Sequence, residues 1–323
     1  VSNGFVADST FIDYTGSHAL NVVDEGTGVV QVSNITVLGT WASVLHMTSC
    51  DSYSGIQASG INMDTGWHLG SYYGINSTNC VLSLSGTQGM VSISNSRLMS
   101  GVVCDGGGNS VEVKITGSVL ENIMGGMSVI PNGLQSNSNI PITIADSLLL
   151  DAFLTGTVCC GGIGSPSNTV TNADITLIGN RIWTGLHYGC CGGLWGAVLF
   201  GPATLAGTNW LRLIGNVWHS PAPEPPMAPP AFLDVVSAPY WVAWAYIGGG
   251  PGTLNLVVKD NTIVGTATGN RYAYTPVVTP PGTSTAIYLF EEGTVADSVS
   301  QYALSQAFQN APGGFVSTFV YVK

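Results

Sequence analysis

Carboxylates are the residues in this chain with the strongest claim to chemistry. Cleaving a glycosidic bond uses two of them on opposite sides of that bond, one as acid and one as base or nucleophile. Glu121 and Asp151 stand at neighbouring places in successive repeats, and Asp146 shares a repeat with Asp151. These are the candidate catalytic residues. The alternative is that they are solvated acids on corners and loops. Glu112 and Asp174 also share a column, but Pro141 falls between them, and Asp24 with Glu25 reads as a loop turn. A lyase needs a base with a cation, and seven Lys+Arg scattered singly leave that base hard to place. The chain has no Ser/His/Asp motif, P-loop or G-x-G-x-x-G.

The seven cysteines are an odd set, so at least one thiol has no disulfide partner within the chain. Cys159-Cys160 and Cys190-Cys191 are each followed by Gly-Gly on consecutive repeats. A disulfide between adjacent coils is geometrically open to them, since the coil spacing lies within the usual Cα–Cα range. Cys50, Cys80 and Cys104 lie at near-equal distances before three successive corners. They predict a column of buried thiols, or a cross-coil disulfide. No C-x-x-C and no His partner at a metal-site spacing accompanies them, so neither a metal nor a cofactor is expected. Asn34 and Asn76 open two N-x-[ST] sequons, which suit an extracellular surface.

The elements that must position these residues come from one phrase. Residues 175–183 (ITLIGNRIW) put apolar side chains at alternate positions, turn at Gly179-Asn180, and alternate again. Residues 211–218 (LRLIGNVW) nearly copy it, and residues 91–98 and 256–263 share its pattern. The first corner residues are Asp8, Asn34, Asp64, Asn95, Gly117, Asp146, Gly179, Gly215 and Asp260. Two and four residues before most corners, and three after, the columns are apolar; Ile115, Val113 and Leu120 are examples. Lys114, Thr176 and Arg212 stand polar between them. Period-two alternation describes strands with one buried face. Ser or Asn usually follows the corner (Ser96, Ser118, Ser147, Asn180, Asn216, Asn261). These short polar groups are expected to bond the bend or their equivalents in adjacent coils. Asn62 is the weak match, a polar residue in an apolar column.

The phrase, for example at residues 5–12 (FVADSTFI) and 142–149 (ITIADSLL), resembles the right-handed parallel β-helix of pectin-lyase-like proteins, which also forms phage tailspike shafts. The resemblance covers residues 1–266 and implies an all-β rod of about nine coils. It is nearly silent on activity, because the fold hosts lyases, hydrolases, adhesins and inert shafts. The proline-rich segment 221–230 must cross the surface as an extended run. Residues 267–323 are expected to cap the open end of the stack or to associate with sister copies, through strand-like runs at 285–290 and 315–322. Residues 295–311 hold the chain's best prospect of a short helix.

One column is unusual. Four residues after the corner stand Ile12, Leu38, His68, Met99, Glu121, Leu150, Trp183, His219 and Val264. A face directed away from the core and yet largely apolar must be covered by the chain's own loops, by a sister subunit, or by a sugar stacked on Trp183. Hydrophobic residues make up 45% and charged residues 8%, with a net charge of −11. That balance speaks against nucleic acid and anionic membranes as partners. No apolar run is long enough to insert in a bilayer as a helix. The chain opens inside a repeat, which predicts a piece of something longer. The leading expectation is an extracellular or virion-tail rod, trimeric and tailspike-like, that recognises host-surface polysaccharide. The alternatives are an adhesin or fibre subunit without catalysis, and a polysaccharide lyase or hydrolase.

Overall fold

A computed structural model describes strands between Gly4 and Val322. Side chains are described at 89–97, 111–120, 140–149, 170–182, 204–219, 244–264 except 246, 276–277 and 285–295. Among the described residues the chain is all-β, without helix, and its strand pairings are parallel. A 19-stranded sheet carries the repeated phrase and two 4-stranded sheets accompany it. Strands inside the stack are flanked by their equivalents in the preceding and following repeats; Val113, for instance, pairs with Val91 on one side and Ile142 on the other. This stacking is compatible with a parallel β-helix.

Alternation in the sequence sets the burial. In Pro141–Ala145 and Asp174–Ile178 the second and fourth residues are buried and their neighbours are not. Stacked in register, Val113, Ile142, Ile175, Leu211, Leu256 and Leu289 make one continuous internal column. All the described members of the column three after the corner are also buried, among them Leu120, Leu149, Ile182, Trp218 and Ile263. Trp218 meets Trp244 from one of the smaller sheets, with ring centroids 4.6 Å apart and planes tilted by 36°. Both rings are fully buried, so this contact ties two sheets through the core.

The corner holds one backbone state. Asn95, Gly117, Asp146, Gly179, Gly215, Asp260 and Gly293 all have positive φ, between 48° and 66°. Gly, Asn and Asp are the residues that adopt this region at least cost, which is why this column contains nothing else. The ladder runs through the bend without a break: the Asp146 amide donates to the Ile178 carbonyl at 3.0 Å, and the Gly215 amide to the Lys259 carbonyl at 2.9 Å.

The next residue forms the expected polar ladder, and it lies inside. The amides of Ser96, Ser118 and Ser147 donate to Ser118 Oγ, Ser147 Oγ and Asn180 Oδ1 at 3.2, 3.1 and 2.9 Å. The amides of Asn180 and Asn216 continue to Asn216 Oδ1 and Asn261 Oδ1 at 3.0 and 2.9 Å. The three Asn side chains also donate to the carbonyls of Ile144, Leu177 and Leu213. Burying a polar column is tolerable because each described member is satisfied by the next rung.

Four expectations need correction. Val30 pairs with Ile56 and Leu38 with Asp64, so Asp64 lies past the bend of its coil and is not the corner. Asn62 therefore leaves the apolar column, where Ala58 opposes Val32 instead, and Asp64 takes the place assigned to His68. His68 itself lies outside the described residues. Cys80 and Cys104 do not form the expected thiol column: Cys80 opposes Ser43 and Gly101, while Cys104 opposes Ser83, because the loops between these strands and their corners differ in length; Cys50 lies outside the described residues. Finally, the repeat does not stop at 266. Leu256 pairs with Leu289 and Ile263 with Ala296, around a further corner at Gly293. Val295–Asp297, expected to begin a helix, is a strand, and Phe319–Val322 pairs in parallel with residues 287–290.

Candidate functional site

The outer column named from the sequence is in register. Met99, Glu121, Leu150, Trp183, His219, Val264 and Asp297 are successive partners across the ladder. His219 and Val264 are half-buried. The side chains of Met99, Glu121, Leu150 and Trp183 lie outside the described residues, as do Asp151, Asn76 and the doublets Cys159-Cys160 and Cys190-Cys191. Asn34 lies in the strand Val29–Leu38, its side chain likewise outside the description. Asp146 is an exposed corner residue. Its Oδ1 leans over the next rung, at 2.8 Å from where a Cβ on Gly179 would stand.

The described side chains with the richest surface chemistry lie elsewhere, on the outward face of the strands that precede the corner. In Asp174–Ile178, core-facing Ile175 and Leu177 send Asp174, Thr176 and Ile178 outward. In Thr208–Ile214, buried Asn209, Leu211 and Leu213 send Trp210 and Arg212 outward. The next two strands add Asn255 and Val257, then Tyr288 and Phe290. Parallel register stacks these into columns. Asp174, Trp210, Asn255 and Tyr288 form one, and Thr176, Arg212, Val257 and Phe290 the next.

Arg212 organises the upper part of this face. Its guanidinium carbon lies 4.6 Å from the centroid of the Trp210 ring. Its Nη1 donates to Asp174 Oδ1 and, at 3.5 Å, to Thr176 Oγ1. The ion pair remains about one-third exposed, at 30% and 32%. Trp210 is 37% exposed and Tyr288 47%. Between them Asn255 donates through Nδ2 to the Asn209 carbonyl at 3.3 Å, which orients its amide. At the edge of the face, Lys259 and Glu292 pair at 3.3 Å. Ile178, 39% exposed, stands in the same column, with Ile214 between it and Lys259.

Such a face can bind without cutting. Aromatic rings stack on the apolar faces of sugars, and planar guanidinium, carboxylate and amide groups hydrogen-bond their hydroxyls. Hydrolysis asks for two carboxyl groups roughly 5–9.5 Å apart. Along these outward strands Asp174 stands two rungs from Glu112 and three from Glu292, about 10 and about 14 Å along the stack, and each carboxylate is held by a cation. Among the described residues no group of three His, Cys, Asp or Glu side chains is placed to hold a metal ion. No described helix is long and apolar enough to cross a membrane.

Trp210 and Tyr288 were not singled out from the sequence. Alternation marks both as outward, five residues before Gly215 and Gly293. That signal was present, but an outward column carries no apolar constraint that would single out an aromatic. No protein-family model, curated protein or solved structure matches this chain.

Proposed function

We propose that this chain is the shaft of a right-handed parallel β-helix protein, tailspike-like, that recognises polysaccharide on a host surface. It acts by binding, from an extracellular or virion-tail setting, and its C-terminal strands join sister copies into a trimer. The observation that carries the reading is the outward cluster of Trp210, Arg212 and Asp174 with Tyr288 two rungs along the same column. Exposed aromatics beside oriented planar polar groups suit sugar rings better than they suit bare solvent.

The uninterrupted ladder of buried Ser and Asn also favours a rigid shaft. That observation fits a plain adhesin or fibre subunit equally well, so glycan binding is what separates the two. On the described face Glu112, Asp174 and Glu292 are each paired with a cation, which favours binding over acid–base work by these three carboxylates. Chromatography over immobilised polysaccharides tests the binding directly. Retention on at least one glycan, lost in Trp210→Ala, supports the reading. Passage through every column leaves a structural fibre. Reducing-sugar release that disappears in Glu121→Gln would restore the enzyme. Light scattering tests the trimer, and a monomeric mass would remove it.

A further inference from the structure

We infer that the polysaccharide held on this face is uncharged and lies along the rod, crossing the rungs from Trp210 to Tyr288. The inference rests on the glycan reading above and adds which glycan and in which direction. Direction follows from the register. Trp210, Asn255 and Tyr288 are successive partners in one column. At about 4.8 Å per rung the two rings stand roughly 10 Å apart along the stack. A sugar chain lying on the column meets an aromatic platform at each end and an amide between them. A chain lying along the strand Thr208–Ile214 meets one aromatic, then Arg212 and Ile214.

Charge selects the class. Among the described residues the cations of this face are each matched by a carboxylate, Lys114 by Glu112, Arg212 by Asp174 and Lys259 by Glu292. The whole chain carries −11. A polyuronate or sulfated glycan would have to displace Asp174 from Arg212 while entering an anionic field. A neutral chain needs neither step. Trp210, Tyr288 and the donors and acceptors of Asn255 and the Arg212–Asp174 pair serve it as they stand.

The test is affinity electrophoresis of the intact chain through gels containing a neutral glucan or galactomannan, polygalacturonate, or hyaluronan. The expected result is retardation in a neutral gel that changes less than twofold between about 50 and about 500 mM salt. Trp210→Ala and Tyr288→Ala each weaken that retardation at least tenfold, and Trp210→Phe keeps most of it. Calorimetry with oligosaccharides of increasing length should show an affinity gain once the ligand reaches both rings, and Tyr288→Ala should abolish the gain. Binding confined to the anionic gels and falling steeply with salt overturns the neutral assignment and leaves the glycan reading standing. Neutral binding with no length step in the unaltered chain overturns the axial direction. Retardation in no gel, with a mass that falls in Trp210→Ala, overturns both: the face would then be a contact between copies.

Discussion

Asp146 leans over Gly179. Its Oδ1 lies 2.8 Å from the point where a Cβ on that glycine would stand. The same relation holds one corner pair earlier, where Asn95 Oδ1 lies 3.0 Å from the corresponding point on Gly117, and again between Asp260 and Gly293. Gly215 follows a glycine, Gly179, along the stack, and a Cβ there meets nothing within 4 Å. The corner column thus obeys a neighbour rule. Among the described residues the left-handed bend holds Gly or Asx, and each Asx is followed by Gly on the next rung.

That rule separates two otherwise identical substitutions. Ala at Gly215 takes on only left-handed strain, about 1–2 kcal/mol. Ala at Gly179 takes on the same strain and also pushes the exposed Asp146 carboxylate out of its rotamer, at about 0.5–1.5 kcal/mol more. Urea unfolding should show Gly179→Ala as the less stable variant. Adding Asp146→Gly should recover the difference, a coupling readable as a double-mutant cycle.

The polar ladder predicts a pH-dependent defect. Asn216 is fully buried, and its Nδ2 donates to the Leu177 carbonyl and to Asn261 Oδ1, both at 3.0 Å. Asn216→Asp replaces that donor with a carboxylate oxygen facing two acceptors. Burial raises the folded-state pKa of the new acid above its unfolded value of about 3.9. The folded state then binds a proton that the unfolded state releases. Stability is therefore greatest below the unfolded pKa and is lost as pH rises through the folded one. Thermal melts should place the variant close to the parent near pH 4 and well below it at pH 7, while Asn216→Ala shows a deficit at both.

The Trp218–Trp244 contact joins two sheets. Either ring replaced by Ala removes a fully buried aromatic, at about 3–5 kcal/mol, and the pair carries about 0.5–1.5 kcal/mol of its own. Denaturation of the two single variants and the double one should give a positive coupling. Near-UV circular dichroism should lose the same band in each single variant.

Asp174 governs charge selectivity more than stability. The pair with Arg212 is about one-third exposed, so Asp174→Asn should cost under about 1 kcal/mol. Freed from its partner, Arg212 presents a full positive charge beside Trp210. The variant should gain salt-sensitive binding to polygalacturonate that the parent lacks, measurable by electrophoresis at two salt concentrations.

Much of this was legible in the sequence, for a physical reason. A core of stacked strands needs apolar residues at every second position, so Val113, Ile115 and Leu120 announce their burial. The left-handed corner admits so few residue types that Asn95, Gly117, Gly179 and Gly215 announce the bend. The same small alphabet makes the corner locally degenerate. Asp64 looks like a bend residue, and only its pairing with Leu38 shows otherwise. Cys80 and Cys104 misled because distance to a corner is counted through loops, and loop length is not conserved from rung to rung. Trp210 and Tyr288 were hidden differently. Solvent-facing columns tolerate almost anything, so their meaning comes from which rungs stack side by side.

The central claim is that this rod binds a glycan through Trp210. The most direct measurement is the dissociation constant for the retained polysaccharide, compared between the parent, Trp210→Ala, and Val295→Ala as an exposed apolar control away from the column. The account predicts at least a tenfold loss in Trp210→Ala, parent-like binding in Val295→Ala, and parent-like melting in both. Equal affinity in all three proteins would contradict it.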